Sequence, residues 1–231
     1  MIKFDVLTLF PQLLKPHFSE LPFKKAKELK KAQYNLWNLR DYALDSYGTV
    51  DNKSYGGGVG MVLMIEPVYK ALCDIYGEDT MEKHVKGKGY LPKNTRIIAL
   101  SPRGKTYNQN MARELSKYDQ ITLICGRYEG MDARIEQYLA TDIISIGNFI
   151  LSGGELPALT VMESISRLIP GVLEKEDATK IESFSDKDSE KIEYPQYTRP
   201  EDFMGLKVPE VLLSGNHAEI EKWRDKNSTT Q

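Results

Sequence analysis

The chain has 231 residues, 41% hydrophobic and 28% charged. This is ordinary globular usage, which excludes wholesale disorder and fits one domain with a satellite or two small ones. A net charge of −2 excludes a protein that coats nucleic acid, though not one with a local basic site. No apolar run approaches the ~20 residues of a membrane span.

Cys73 and Cys125 stand too far apart for a disulfide framework or a zinc cluster, so a reducing cytoplasm is the expected compartment. Residues 2–9 alternate with β-branched and aromatic members and stop before Pro11, which predicts a strand. Asp5 inside that run and the lack of a small-residue cleavage site argue against a signal peptide. Residues 24–31 are rich in helix formers, with a strand predicted at 34–39 and a loop at 45–60 that holds Gly56, Gly57, Gly58 and Gly60. Val68, Leu72 and Ile75 recur at helical spacing over 65–76, with Pro67 tolerable in the first turn. Residues 77–94, with five basic side chains and little to bury, are expected to form a mobile surface connection.

Three apolar runs follow, at 96–100, 120–125 and 142–146. Their continuous apolarity predicts strands covered on both faces, as in a parallel sheet. Helices are expected between them at 108–118, 133–139 and 155–169. The last carries Leu156, Leu159, Met162, Ile165 and Ile169 as one stripe and opens with a capping-box spacing from Ser152 to Glu155. The fold class is therefore α/β. After Pro170-Gly171, residues 174–193 hold eight acids and four lysines with few apolar positions, so they are expected to be a flexible linker. An extended stretch at 208–213, a helix at 217–223 capped by Ser214 or Asn216, and a disordered tail at 227–231 complete the expectation.

Several common signatures are absent. Arg103-Gly104-Lys105-Thr106 imitates the end of a phosphate-binding loop, but the first glycine of that motif is replaced by Ala99. No G-x-G-x-x-G follows a strand, and His17, His84 and His217 lack metal-ligand spacing. What remains are three glycine-bearing loops after the three predicted buried strands: 100–104, 125–130 and 146–154. Ligands of open α/β sheets lie outside those strand ends, and glycine lets backbone groups approach a ligand closely, although tight strand-to-helix turns also favour it. Glu129 in the second loop has no lysine at i+4 and suits a cationic ligand. Arg167, in the last turn of its helix, is also where the helix dipole favours a cation.

The stretches Cys125-Gly126-Arg127-Tyr128-Glu129-Gly130-Met131-Asp132 and Ser145-Ile146-Gly147-Asn148-Phe149-Ile150-Leu151-Ser152-Gly153-Gly154-Glu155-Leu156-Pro157 resemble the signature segments of bacterial tRNA (guanine-N1-)-methyltransferases. The resemblance continues, in order, through 55–61, 100–102, 167–173, 194–200 and 208–217. It implies a trefoil-knotted parallel-sheet methyltransferase domain of the SPOUT class at 1–170, a flexible linker at 171–193 and a small, mainly helical tRNA-binding domain at 194–231. It further implies a cytoplasmic homodimer with its active site between protomers. S-adenosyl-L-methionine would be the methyl donor, and a divalent-ion requirement is left open.

Carried onto this chain, the resemblance gives cofactor-binding roles to Leu100, Ser101 and Pro102 as the adenosine-side wall and to Gly126, Tyr128 and Glu129 in the second loop. In the third loop it gives them to Ile146, Gly147, Asn148, Phe149, Ile150 and Leu151, with Gly153 and Gly154 completing the cradle. The substrate implied is the guanosine just 3′ of the anticodon, whose N1 methylation supports reading-frame maintenance. The base of similar enzymes is an aspartate opening a D-S-F motif. Here Glu182-Ser183-Phe184 stands in that place, so Glu182 takes the role with one extra methylene, Asp177 and Asp186 being the fallback bases. Arg167 would steady negative charge on the guanine oxygen.

The polar insertion at 187–191, the long 77–94 connection and Asn148 in place of a frequent aspartate depart from the family pattern. The linker is expected to order when tRNA arrives. Arg199, Lys207, His217, Lys222 and Arg224 are candidates for phosphate contacts to the anticodon arm, and the lysine-rich 24–31 segment is expected to be mainly solvated. The alternatives are a related knotted methyltransferase acting on another RNA, an RNA-binding module that has lost its base, and a nucleotide hydrolase resting on 104–106 alone. The 194–200 and 211–217 segments favour tRNA.

Overall fold

The computed structural model describes residues 1–87, 90–174, 179, 182–185 and 190–230. The chain divides into two compact units, Met1–Leu173 and Glu174–Gln231.

The first unit is built on a five-stranded parallel sheet. Its strands are β1 (Ile2–Thr8), β2 (Ala32–Asn38), β5 (Thr95–Thr106), β6 (Gln120–Cys125) and β7 (Asp142–Ser145), in the order β2-β1-β6-β5-β7. A two-residue antiparallel ladder, β3 (Asp51–Asn52) with β4 (Val62–Leu63), lies in the glycine-rich segment. The helices are α1 (Phe23–Glu28), α2 (Ile65–Tyr76), α3 (Glu78–Val85), α4 (Gln109–Leu115) and α5 (Glu155–Ser166).

Both faces of the sheet are covered. Phe4, Val6, Ile98, Ile121 and Leu123 pack in one core with Ala158, Met162 and Ile165 of α5. Leu7, Ile97, Ala99 and Ile124 pack in another with Val68 and Leu72 of α2. Successive residues of a strand point to opposite faces, so a sheet buried on both sides selects continuous apolar runs. This also corrects the expectation for β1, which is buried at nearly every position rather than alternately. Its one acid, Asp5, is fully buried and accepts hydrogen bonds from Asn35 Nδ2 (2.9 Å), Trp37 Nε1 (2.9 Å) and Gln120 Nε2 (2.8 Å). These donors offset the cost of removing its charge from water.

Several expectations are corrected by tertiary packing. Within 77–94, residues 78–85 form α3, whose Met81 is fully buried beside α2, and His84 Nε2 lies 3.1 Å from the carbonyl of Leu139. The strand predicted at 96–100 runs on to Thr106. Its partner β7 is met twice, at Leu100↔Ile144 and again at Lys105↔Ile144. Residues 133–139 are helical as expected, with the turn at Ile135–Leu139 widened to π-helical geometry.

In α5 and just beyond it the predicted stripe is buried at Leu159, Met162, Ile165 and Ile169 but not at Leu156. Leu156 is 58% exposed, whereas Pro157, Ala158 and Val161 are buried. The capping box is not formed either. Gly154 occupies the N-cap without a side-chain bond, because the Glu155 carboxylate is drawn to Thr8 and Arg127.

In the second unit, residues 208–213 are helical at Glu210–Leu213 rather than extended. The helix at His217–Asn227 is capped by Asn216, whose side chain accepts from the Glu219 amide. The tail is not disordered as far as Thr230: Thr229 and Thr230 pair antiparallel with Ile192 and Lys191. The described part of the linker is also hydrogen-bonded, Phe184 N to Lys191 O (2.8 Å) and Glu193 N to Ser183 Oγ (3.0 Å). Trp223 stands edge-on to Tyr194 and Tyr197, and Arg224 lies over the Tyr194 ring. Asp177, Asp186 and most of the 187–191 insertion lie outside the described residues.

Candidate active site

At the C-terminal ends of β6 and β7 and beside the middle of β5, three segments enclose a cavity of about 420 Å³. From β5 come Leu100, Ser101, Pro102 and Arg103. The loop after β6 gives Gly126, Arg127, Tyr128 and Glu129, and the loop after β7 gives Ile146, Gly147, Phe149, Ile150, Leu151, Gly153 and Gly154. Of the residues assigned above to cofactor binding, Asn148 alone is outside this lining and is exposed. The volume falls within the ~300–1,000 Å³ usual for small-molecule sites.

The loops are held by short-range bonds. Ser145 Oγ donates to the carbonyl of Gly147 (3.1 Å) and accepts from its amide (3.2 Å), setting the third loop where it leaves β7. Gly154 N donates to Gly126 O at 2.9 Å, which joins the third loop to the second. Glu129 N bonds Met61 O (3.0 Å) and Leu63 N bonds Gly130 O (3.0 Å), so the glycine-rich segment is tied to the second loop. Tyr128 adopts φ 62°, a left-handed conformation that bulky side chains seldom take without tertiary support. Its hydroxyl titrates above its ordinary range, first because of burial and then because it donates to Asp51, whose charge adds to the effect while Arg40 opposes it.

Several of the glycines face protein rather than open space. A Cβ on Gly154 would lie 2.6 Å from Cys125 Cα, and one on Gly153 would lie 2.2 Å from Arg127 Nε. At Gly104 the obstacle is backbone, Ile144 N at 2.4 Å and Ile143 O at 2.6 Å. The close approach of β5 to β7 at this point therefore requires the absence of a side chain there. Close approach does explain these glycines, but at 104, 153 and 154 what approaches is another part of the chain.

Arg167 caps the C-terminus of α5 and is half-buried. It is not among the lining residues. Glu182 belongs to the second unit and is half-buried. Arg199, Lys207, His217, Lys222 and Arg224 are exposed in that unit, with Lys222 2.8 Å from Glu219. Lys24, Lys27 and Lys30 are also exposed, whereas Lys31 donates to the Pro170 carbonyl. Among the described residues no cluster of His, Cys, Asp or Glu suits a metal ion, and no helix is long and apolar enough to cross a membrane.

The lining also contains residues to which sequence reasoning gave no role: Arg103, Arg127, Glu136 and Pro157. Glu136 is 8% exposed at its side chain and 3.8 Å from Arg103. Arg127 pairs with Glu155 at 3.0 Å. No spacing rule could have joined residues so distant in the chain.

A sequence model of the family described as tRNA (Guanine-1)-methyltransferase TrmD matches residues 2–231. A tRNA (guanine-N(1)-)-methyltransferase of Dehalococcoides mccartyi strain CBDB1 is 45% identical over 227 residues, covering 98% of this chain and 86% of the relative. Its namesake in Clostridioides difficile strain 630 is 45% identical, covering 98% and 92%. That of Staphylococcus aureus strain JH9 is 48% identical over 223 residues, covering 96% and 84%. With the match running through all three cavity loops and on through the second unit, the chain belongs to the tRNA (guanine-N1)-methyltransferase family.

Proposed function

We propose that this protein transfers a methyl group from S-adenosyl-L-methionine to N1 of the guanosine immediately 3′ of the tRNA anticodon. The observation that carries the proposal is the convergence of the three segments, the same ones that resemble the family's signatures, on one cavity of about 420 Å³. The residues present fit the donor. Leu100, Ile146, Phe149, Ile150 and Leu151 provide apolar surface for a nucleoside, while Glu129 supplies a carboxylate suited to a sulfonium charge. Bound there, S-adenosyl-L-methionine supplies an electrophilic methyl group.

The protein's own groups act on the acceptor. Guanine N1 carries a proton at neutral pH and is a poor nucleophile until it is removed. Glu182 accepts that proton as general base, a contribution of ~10²–10⁴ in rate. Arg167 balances the charge that develops on the guanine oxygen. The guanine leaves its stack to enter the site, while Arg199, Lys207, Lys222 and Arg224 contact tRNA phosphates. The remaining parts of this reading are a trefoil knot, a linker that orders on tRNA, a cytoplasmic homodimer whose site lies between protomers, and a role in keeping the reading frame. The double meeting of β5 with β7 supports the knot. Phe149 (54% exposed), Ile150 (79%) and Leu156 (58%) offer the apolar surface that a second protomer would cover.

The test is transfer of labelled methyl to a tRNA transcript and to its partner with adenosine replacing the guanosine 3′ of the anticodon. Label on the first alone is expected. Equal label on both, or none on either, would overturn the proposal.

A further inference from the structure

Glu155 is 2% exposed at the first turn of α5, and it joins separate parts of the first unit. Its Oε1 accepts from Thr8 Oγ1 at the end of β1, 147 residues away, at 2.8 Å. Its Oε2 accepts from Arg127 Nε in the second loop at 3.0 Å. Its backbone continues directly from Gly153 and Gly154 of the third loop. The network is closed by two further contacts. Arg127 stacks over the Phe10 ring with its guanidinium carbon 4.4 Å from the centroid, and Thr8 Oγ1 accepts from the Phe10 amide at 2.9 Å. Gly153 lies so close above this pair that a Cβ there would sit 2.2 Å from Arg127 Nε and 2.6 Å from Glu155 Oε2.

A buried carboxylate needs donors or a paired charge. Here the paired charge comes from Arg127 in the second loop, which lines the cavity, and a further donor from the end of β1, so satisfying Glu155 also fixes the distance between the second and third loops. The helix N-terminus adds a favourable field for the negative charge. Arg127 itself lines the cavity, with its side chain 20% exposed. Nothing about the proposed chemistry consumes this ion pair, and a merely stabilising role would be met by apolar packing of similar volume.

We propose that Glu155 is a positioning residue: through Arg127 and Thr8 it clamps the second and third loops at the separation that binds the methyl donor. This rests on the reading of the cavity as the S-adenosyl-L-methionine site. Its prediction is selective, because a clamp between loops acts on donor affinity and not on tRNA affinity or on the proton transfer assigned to Glu182.

The test uses the full-length protein with Glu155→Gln, which keeps volume but removes the charge, and Arg127→Lys, which keeps charge but loses the planar fork. Binding of S-adenosylhomocysteine is measured by calorimetry, alongside KM for the donor, KM for tRNA, kcat and the thermal midpoint. Each variant is expected to weaken S-adenosylhomocysteine binding and raise the donor KM about tenfold or more, with the tRNA KM and kcat at saturating donor within about twofold. The double variant is expected to lose no more than the worse single one, since both break the same contact.

Unchanged donor affinity in folded E155Q, or losses that multiply in the double variant, would overturn the clamp while leaving the cavity reading intact. Failure of the wild-type protein to bind S-adenosylhomocysteine would overturn both. Should E155Q not fold, Thr8→Val removes one donor without disturbing the ion pair and is expected to weaken donor binding by a smaller factor. Unchanged binding there would again overturn the clamp.

Discussion

The hydroxyls of Tyr34 and Ser166 lie 2.6 Å apart, linking β2 to the last turn of α5 across 132 residues. Tyr107 makes a similar contact two residues earlier in the helix, 2.7 Å from Ser164. Arg167 follows directly as the C-cap of that helix. Two tyrosines thus pin the helix end on which the proposed charge-balancing arginine is carried.

Burial pushes both phenols up to about 12, with the serine bonds opposing the shift. A folded-state value above the unfolded one, about 10, means that the neutral phenols contribute stability that is intact below pH 10. That stability is lost as pH rises toward 12. Stability measured by urea denaturation is expected to fall through this window, and Tyr34→Phe with Tyr107→Phe should flatten the fall. An unchanged slope in the double variant would dissociate these residues from alkaline unfolding.

Gly104→Ala is expected to be among the most damaging single-methyl additions available. The new Cβ would meet the backbone of Ile143 and Ile144 at 2.4–2.6 Å, and backbone in a paired strand cannot yield as a side chain can. A loss of about 3 kcal/mol or more is expected, read as reduced soluble yield and a lowered thermal midpoint. Gly56→Ala is the contrast: nothing lies within 4 Å of its Cβ, and only its φ of 84° resists substitution.

Met81→Ala tests whether α3 belongs to the folded core. The side chain is fully buried among residues of α2 and the sheet, so truncation should cost about 2–5 kcal/mol in chemical denaturation. A surface appendage would tolerate the change with almost no loss.

Glu182→Ala is expected to lower kcat for methyl transfer by ~10²–10⁴ with S-adenosylhomocysteine binding unchanged. Glu182→Asp, which keeps the carboxylate and shortens the side chain by one methylene, should retain activity. Because a shift of about an ångström in the base can alter the rate greatly, the ratio of aspartate to glutamate activity measures how far the surrounding loop has adapted to the longer side chain. Full activity in the alanine variant would remove Glu182 from the mechanism.

Much of the architecture was legible without coordinates. Helical spacing gave α2 at its observed bounds, Ile65–Tyr76, because it buries apolar residues with the period of its own backbone. Continuous apolarity gave β6 at Gln120–Cys125, because that strand is covered on both faces. The three segments that line the cavity were also legible, since each is a contiguous run, although 100–104 proves to be part of β5 rather than a loop. Where expectation failed, a distant contact had overruled a local signal. Glu155 has capping-box spacing from Ser152, yet its carboxylate goes to Thr8 and Arg127 instead. Residues 78–85 look solvated by composition, yet Met81 is fully buried in the core that includes α2, and the segment folds as α3.

By itself, then, the sequence determined the α/β class, the segments that line the cavity and the family, all of which are written in contiguous or regularly spaced residues. Only the tertiary structure decided which glycines are required by close backbone approach, which carboxylate joins the loops, and how the long β5 meets β7 twice. Those depend on atoms brought within about 3 Å of one another from positions far apart in the chain. Hydrogen bonds and steric contacts act at that short range, and they leave no periodic trace in the order of residues.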